Sequence, residues 1–322
     1  MTDRAAWLAR RRQHIGGSDI AAIAGLSPYR GPLAVYLEKL GLHETPDNWP
    51  MRRGRALEPV VLGLYQEEQG VELEQRDPTD MIVHPGNPLF ACTPDGLVVG
   101  GEKGVEAKAP LFRSAGNWGE PGTDDVPEYY LVQCQWNMMC SGRDLWDLAA
   151  LIGDEPLAVY PMRVNHELIA ALREIAERFW RDHIINRVPP AADGSESTRA
   201  WLRQNYPEVR RPMLEPTPEA LQLLADYRRF KPALDCAESD INTIKNQLMN
   251  MVGDAEGIAG VCTWKKSKDK TEVDWQEVSL VLGERLGVLP GTDEYDALVK
   301  AATFTKPGER RFLFSNSRRK KS

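Results

Sequence analysis

Phe90-Ala91-Cys92-Thr93-Pro94-Asp95-Gly96-Leu97-Val98-Val99 and, past Gly100-Gly101, Gly104-Val105-Glu106-Ala107-Lys108-Ala109-Pro110 decide the fold. Asp95 lies between a proline and a glycine, residues that favour a turn. Gly100, Gly101 and Gly104 suit a tight hairpin. Glu106 and Lys108 then fall at i and i+2 on the returning strand, and a strand alternates faces with period two, so both point the same way. If the two strands pair, Asp95 and Glu106 share one divalent cation and Lys108 stands beside them. The flanking residues are apolar, and charges among such residues are costly unless paired or metal-bound. The plain alternative is a hairpin with surface charges.

This residue set suits phosphodiester hydrolysis. That reaction needs a water made nucleophilic at neutral pH and stabilisation of the charge that develops at phosphorus. Oxygen-bound Mg²⁺ or Mn²⁺ supplies both, and a second ion stabilises the leaving oxygen. Asp95 and Glu106 are hard ligands, and the Ala107 carbonyl between Glu106 and Lys108 is a candidate third. Lys108 can orient the attacking water or neutralise transition-state charge. Glu58, in Gly54-Arg55-Ala56-Leu57-Glu58, follows the basic run Arg52-Arg53 and precedes a helically spaced apolar stretch, Val60, Val61, Leu64 and Tyr65. It is a candidate ligand for the second ion.

Outward from the hairpin, helices are expected over 3–14, from Ser27-Pro28 through Leu40, and over 57–68. Ser18 or Asp19 is expected to N-cap a helix through Ala22 and Ile23; a helix start with a free hydroxyl also suits a phosphate. Strands are expected near 71–76, 80–84, 89–92, 96–99 and 104–109. Residues 113–126 read as a loop carrying Trp118, which either touches DNA or covers the core. A helix over 127–140, strands at 145–152 and 157–163, and an amphipathic helix from Glu167 to Ile185 complete an α/β (α+β) unit, helices around a central mixed sheet. Pro189-Pro190 and Asp193–Ser197 mark a boundary near residue 195, giving segments 1–195 and 196–322. In the second, apolar positions spaced by threes, fours and sevens predict a helical hairpin or coiled coil that Pro232 kinks or divides. Strands at 258–265 and 271–274 and a basic end, Arg310-Arg311 and Arg318-Arg319-Lys320-Lys321, follow.

Pro94-Asp95 with Glu106-x-Lys108 resembles the PD-(D/E)xK nuclease signature, and with it a restriction-endonuclease-like core. The finer resemblance is to the YqaJ-type viral recombinases, a branch that includes lambda exonuclease. Five ordered blocks carry it: Trp7 and Arg11 with Gly16-Gly17-Ser18-Asp19; Gly54-x-x-x-Glu58; Ala91 to Leu97; Glu106 to Pro110; and Tyr130-Leu131-Val132-Gln133-Cys134-Gln135-Trp136. The resemblance covers roughly residues 1–190. It implies 5′→3′ exonuclease action on double-stranded DNA ends with two Mg²⁺ or Mn²⁺ ions, held by Asp95, Glu106 and Glu58 with the Ala107 carbonyl. It implies that Lys108 acts on the water, that Gln133 helps hold the site, and that Arg11, Ser18 and Thr93 bind a terminal 5′-phosphate. Arg53, Arg55, Gln135 and Trp118 are further candidates for DNA contact. It also implies a homotrimeric ring, a single-strand annealing protein as partner and a phage or prophage origin. The alternatives are a structure-directed endonuclease of the same superfamily and a DNA-end-binding module without catalysis.

Composition bounds these expectations. At 42% hydrophobic and 27% charged the chain is ordinary for a globular protein. It has no apolar run long enough for a membrane span, and Met1-Thr2-Asp3-Arg4 lacks the apolar core of a signal peptide, so a cytoplasmic protein is expected. Cys92, Cys134, Cys140, Cys236 and Cys262 read as buried free thiols in a reducing compartment. Neither an iron–sulfur run nor zinc spacing occurs. The net charge of −7 does not argue against DNA, because residues 1–60 carry nine Lys/Arg against six Asp/Glu, a local balance of +3.

Overall fold

A four-stranded mixed sheet carries the hairpin: β3 (Gly96–Leu97), β4 (Lys103–Lys108), β5 (Leu145–Ala150) and β6 (Ala158–Arg163), in that order. β3 pairs antiparallel with β4, β4 parallel with β5, and β5 antiparallel with β6. This computed structural model describes residues 4–44, 47–77, 79–111, 116–266, 272–305 and 312. Two units result, Met1–Pro207 and Glu208–Ser322.

Period-two alternation sets the two faces of the sheet. Val105, Ala107 and Ala149 cluster with Val61 and Tyr65 of α4 (Trp49–Gln69). Trp146, Leu148, Ala150, Tyr160 and Met162 cluster with Cys134 and Met138 of α5 (Glu128–Ser141). Glu106 is paired with Leu148, so it points to the α5 face. A Cβ at Gly104 would meet the Trp146 ring at 2.1 Å, so this strand position admits only glycine. Arg143 pins the hairpin turn: its Nη1 donates to the Val98, Gly101 and Lys103 carbonyls at 3.2, 2.8 and 2.9 Å.

A third cluster joins α2 (Gly17–Ile23), α3 (Pro32–Lys39), α5 and α6 (His166–Phe179). α1 (Arg4–Arg11) precedes it, and β1 (Ile82–Val83) pairs antiparallel with β2 (Ala91–Cys92) beside it. α6 continues as a π-helical turn, Trp180–Ile185, so the long helix is present with a changed winding. α7 (Glu196–Asn205), on the far side of the expected boundary, belongs to the first unit. Thr198 is buried, its hydroxyl donates to Asp193 at 3.0 Å, and Ser195 caps the helix.

Several elements differ from expectation. α4 starts at Trp49, eight residues early, because Asn48 caps it and Pro50 occupies its first turn, where no N–H is needed. α2 is capped by Gly16 rather than by Ser18 or Asp19, which lie in its first turn. The helix expected from Ser27 begins at Pro32. The strand expected over 71–76 is only an isolated Leu73–Val98 bridge. Cys92, Cys134 and Cys140 are buried, but Cys236 is exposed and Cys262 partly so.

In the second unit α8 (Pro218–Val252) is one 35-residue helix that runs straight through Pro232 in the hydrogen-bonded sense, rather than dividing there. β7 (Gly257–Ile258) and β8 (Cys262–Thr263) form a short hairpin. α9 (Trp275–Leu286) and α10 (Asp293–Ala302) follow, neither expected from the sequence. No strand occupies 272–274; Thr271 and the basic residues Arg310-Arg311 and 318–321 lie outside the described residues. No described helix is long and apolar enough to cross a membrane.

Candidate active site

Glu106 is buried to 1% exposure, and both its oxygens are taken. Oε1 accepts from Lys108 Nζ and from Gln133 Nε2. Oε2 accepts from Asn137 Nδ2 at 2.9 Å. Gln133 and Asn137 lie one turn apart on α5, so a single helix face presents both amides. Asn137 was not anticipated, although its i+4 spacing from Gln133 is the signal that finds it. Asp95, half-buried, accepts from the Ala107 N–H at 2.8 Å, which ties the turn to the returning strand.

Glu58 enters from α4 and completes the cluster. Burial pushes its carboxyl up to about 7, with Asp95 adding to the rise while Lys108 and Arg55 oppose it. Burial likewise raises Glu106 to about 8, helped by Asp95 and, less strongly, by Glu58. Burial raises Asp95 against the pull of Lys108. Burial disfavours the Lys108 ammonium, but Glu106 and Asp95 outweigh it and hold the group charged. The sequence-derived quartet of Asp95, Glu106, Lys108 and Glu58 is therefore one electrostatic unit.

Among the described residues no three His, Cys, Asp or Glu side chains already surround a common point, because Glu106 faces nitrogen donors. The donor chemistry still fits a hard divalent ion. Mg²⁺ needs only one or two carboxylates and keeps water for the rest. Burial raises all three carboxyls, and the one lysine beside them does not offset it, so a bound cation would favour their charged forms.

A cavity of about 130 Å³ opens next to this cluster, lined by Arg11, Ser18 and Thr93 together with Gln133 and Asn137. The backbone brings its walls together. Ile15 bonds to both sides of the strand before Thr93, through Ile15 N to Leu89 O at 2.8 Å and Ala91 N to Ile15 O at 3.0 Å. Buried Trp136 of α5 donates to the Ile15 and Ala91 carbonyls at 3.2 and 3.1 Å. Gly17 fits closely against α5, since a Cβ there would lie 2.7 Å from Asn137 Oδ1. Arg11 Nη2 donates to Ser18 Oγ at 2.7 Å. Trp7, under the Arg11 guanidinium at 5.4 Å, and His14, whose Nδ1 donates to the Pro88 carbonyl at 2.7 Å, also line it.

Behind the cavity Asp19 is buried to 1% and faces three cations. Lys39 Nζ lies 2.6 Å from Oδ2, Arg30 Nη2 3.0 Å from Oδ1, and Arg11 Nη2 3.5 Å from Oδ1. Burial pushes the Asp19 carboxyl up, but Lys39, Arg11 and Arg30 together hold it well below the usual carboxylate range. Lys39 also donates to the Arg11 carbonyl at 2.9 Å, so Arg11 is fixed at both backbone and side chain.

The remaining candidates divide. Arg53 donates to the Ala109 carbonyl at the end of β4. Arg55 pairs with Asp47 at 2.7 Å and is half exposed. Trp118 rests between the Tyr130 and Tyr160 rings, 5.5 and 5.3 Å away, while Lys108 sits over Tyr130 at 5.3 Å. Gln135 is not at a DNA-facing surface. It is buried, its Nε2 donates to the Arg163 carbonyl and its Oε1 accepts from Asn165 N, both at 2.8 Å, which fastens α5 to the start of α6.

A family model described as the YqaJ-like viral recombinase domain matches residues 6–144. The uncharacterized protein YqaJ of Bacillus subtilis is 26% identical over 255 residues, covering 78% of each chain. An alkaline exonuclease structure from Laribacter hongkongensis is similar at a TM-score of 0.45 and 19% identity, over 62% of this chain and 97% of that one. A structure of LHK-Exo in complex with dAMP gives 0.45 and 22%, over 55% and 91%. The matched segment, which is similar to the YqaJ-like viral recombinase domain, holds the carboxylate–lysine cluster, its two amides and the whole Arg11–Ser18–Thr93 cavity.

Proposed function

We propose that this chain is a metal-dependent nuclease that degrades one strand of duplex DNA from its 5′ end and leaves a 3′ single strand for recombination by annealing. One observation carries the reading. Gln133 and Asn137 hold Glu106 and also line the Arg11–Ser18–Thr93 cavity. A guanidinium and two hydroxyls form an anion site, and it adjoins the carboxylates through shared side chains. A terminal phosphate seated there would share Gln133 and Asn137 with the Glu106 carboxylate, which supports end-directed action. The YqaJ-like domain match supports a role in recombination.

Asp95, Glu106, Glu58 and the Ala107 carbonyl would hold one or two Mg²⁺ or Mn²⁺ ions. Bound there, such ions lower the pKa of water and neutralise charge at phosphorus. Lys108, kept charged by its carboxylates, stabilises the developing anion. Gln133 and Asn137 fix the Glu106 carboxylate, so its position costs no reorganisation during reaction. Arg53, anchored at the end of β4, and Arg55, half exposed, would meet the phosphates of the bound strand. Assembly as a homotrimeric ring and transfer of the 3′ strand to a single-strand annealing protein belong to the same proposal.

Linear duplex labelled at either its 5′ or its 3′ end, digested with Mg²⁺ and with EDTA, tests it. Early release of 5′ label with Mg²⁺ only is expected; nicking of closed circles, or early release of 3′ label, overturns the assignment. Asp95→Ala and Lys108→Ala should each lower cleavage by about 10²-fold or more while duplex ends still bind. Arg11→Ala should reduce the preference for 5′-phosphorylated over 5′-hydroxyl ends, and an equal loss on both would remove Arg11 from that role.

A further inference from the structure

α8 carries an apolar seam that nothing else among the described residues of the second unit is long enough to cover. Leu223, Tyr227, Phe230, Leu234, Ala237, Ile241, Ile244, Leu248 and Met251 follow one another in strict alternation of four and three residues. That is a heptad repeat, with Tyr227, Leu234, Ile241 and Leu248 at a and the others at d. A helix bound into a globular core repeats every 3.6 residues, so a strict 3.5 repeat over four heptads marks a supercoil seam. The seam is open to solvent. Leu223, Tyr227, Phe230, Leu234, Ile241, Ile244 and Met251 are 38% to 72% exposed. Pro232 falls at f, the outermost position, so its ring does not occupy the seam.

The seam spans about 42 Å. α9 and α10, of 12 and 10 residues, reach only about 18 and 15 Å, so among the described residues α8 alone matches its own length. The flanking charges choose the partner. Asp226 and Asp240 occupy g, and Lys231 and Lys245 occupy e of the following heptad. In a parallel, in-register pair each g aspartate meets an e lysine of the other helix, and the third such pair, Ala233 with Glu238, carries no repulsion. Antiparallel packing sets e against e and g against g and forfeits both pairs. Within one chain Asp226 pairs with Arg229 at 3.2 Å and Lys231 with Asp235 at 2.6 Å, exposed contacts of small worth that can exchange. Asp240 and Lys245 make no ion pair among the described residues.

We infer that α8 is an assembly element: copies of this chain associate through it as a parallel, in-register coiled coil. This does not depend on the nuclease reading, because the seam lies wholly in the second unit.

Site-specific cross-linking of the full chain tests it. In a Cys236→Ser, Cys262→Ser background, Leu234→Cys puts a thiol at a and Ser239→Cys puts one at f. Mild oxidation should link the Leu234→Cys chains into disulfide dimers and leave the Ser239→Cys chains at least about tenfold less linked. Equal linking at both positions, or none at Leu234→Cys, overturns the proposal. The charge pattern gives a second measurement by sedimentation equilibrium of the full chain. Lys245→Asp should weaken association by about tenfold or more, and Asp240→Lys combined with Lys245→Asp should restore it. No recovery in the double variant rejects the parallel register. Circular dichroism of each variant separates loss of pairing from loss of helix, and cleavage of linear duplex reports independently on the first unit.

Discussion

Glu106 receives three donors on two oxygens, and its neighbours explain why that is needed. A buried carboxylate beside Asp95 and Glu58 is held in one rotamer only by Lys108, Gln133 and Asn137. Asp19 shows the same principle with the sign reversed, one carboxylate among three cations. Its consequence for pH follows from linkage. The folded-state pKa lies below the unfolded value, so the native state binds fewer protons, and the stabilisation is fully present above the unfolded pKa of about 3.9. It is lost as pH falls below that value. Urea unfolding of Asp19→Asn should show a loss of about 3–5 kcal/mol at pH 7, and a smaller difference from the parent at pH 3. A constant difference across that range would contradict it. At this scale the sequence named Asp95, Glu106 and Lys108 because hairpin spacing is local. It could not name the shell around Asp19, since Arg30 and Lys39 come from other elements.

Helix α5 joins the two halves of the site. One face carries Gln133 and Asn137, and the neighbouring positions carry Trp136 and Gln135, which fasten the helix to Ile15 and to the start of α6. Gly17 of α2 must pass close to that face. Gly17→Ala should therefore cost about 1–3 kcal/mol of stability by overpacking, and it should lower cleavage by displacing the amides from Glu106. Thermal unfolding and single-turnover digestion measure the two effects; full activity at unchanged stability would show that the helix gives way freely. Elements with a strong period were legible, as β4, α5, β5 and β6 show. The start of α4 was hidden because Pro50 and Gly54, which precede the expected start, read as breakers, while the Asn48 cap that overrides them depends on the chain's path. The boundary of α7 was hidden for a similar reason: Asp193 to Ser195 looks like a linker, yet its side chains cap and anchor the helix that follows.

The candidate roles fall in different units of the molecule. The first holds every candidate catalytic and phosphate-binding residue, and the second holds the α8 seam. A chain ending at Pro207 should keep Mg²⁺-dependent cleavage of linear duplex and lose any association that requires α8, as light scattering would register. Loss of all cleavage in a folded truncate would show that the second unit contributes to the reaction. The hairpin also has a bearing on how the molecule comes into being. Asp95, Glu106 and Lys108 are close in sequence and meet through a short loop, whereas Glu58, Gln133 and Asn137 arrive through long ones. Short-range pairings form early, and long-range ones follow at greater entropic expense. A chain emerging during synthesis thus carries the acid–acid–lysine hairpin before α5 exists, with Glu106 unsupported. The carboxylate–lysine cluster is then complete only once α5 has docked and brought its two amides to Glu106.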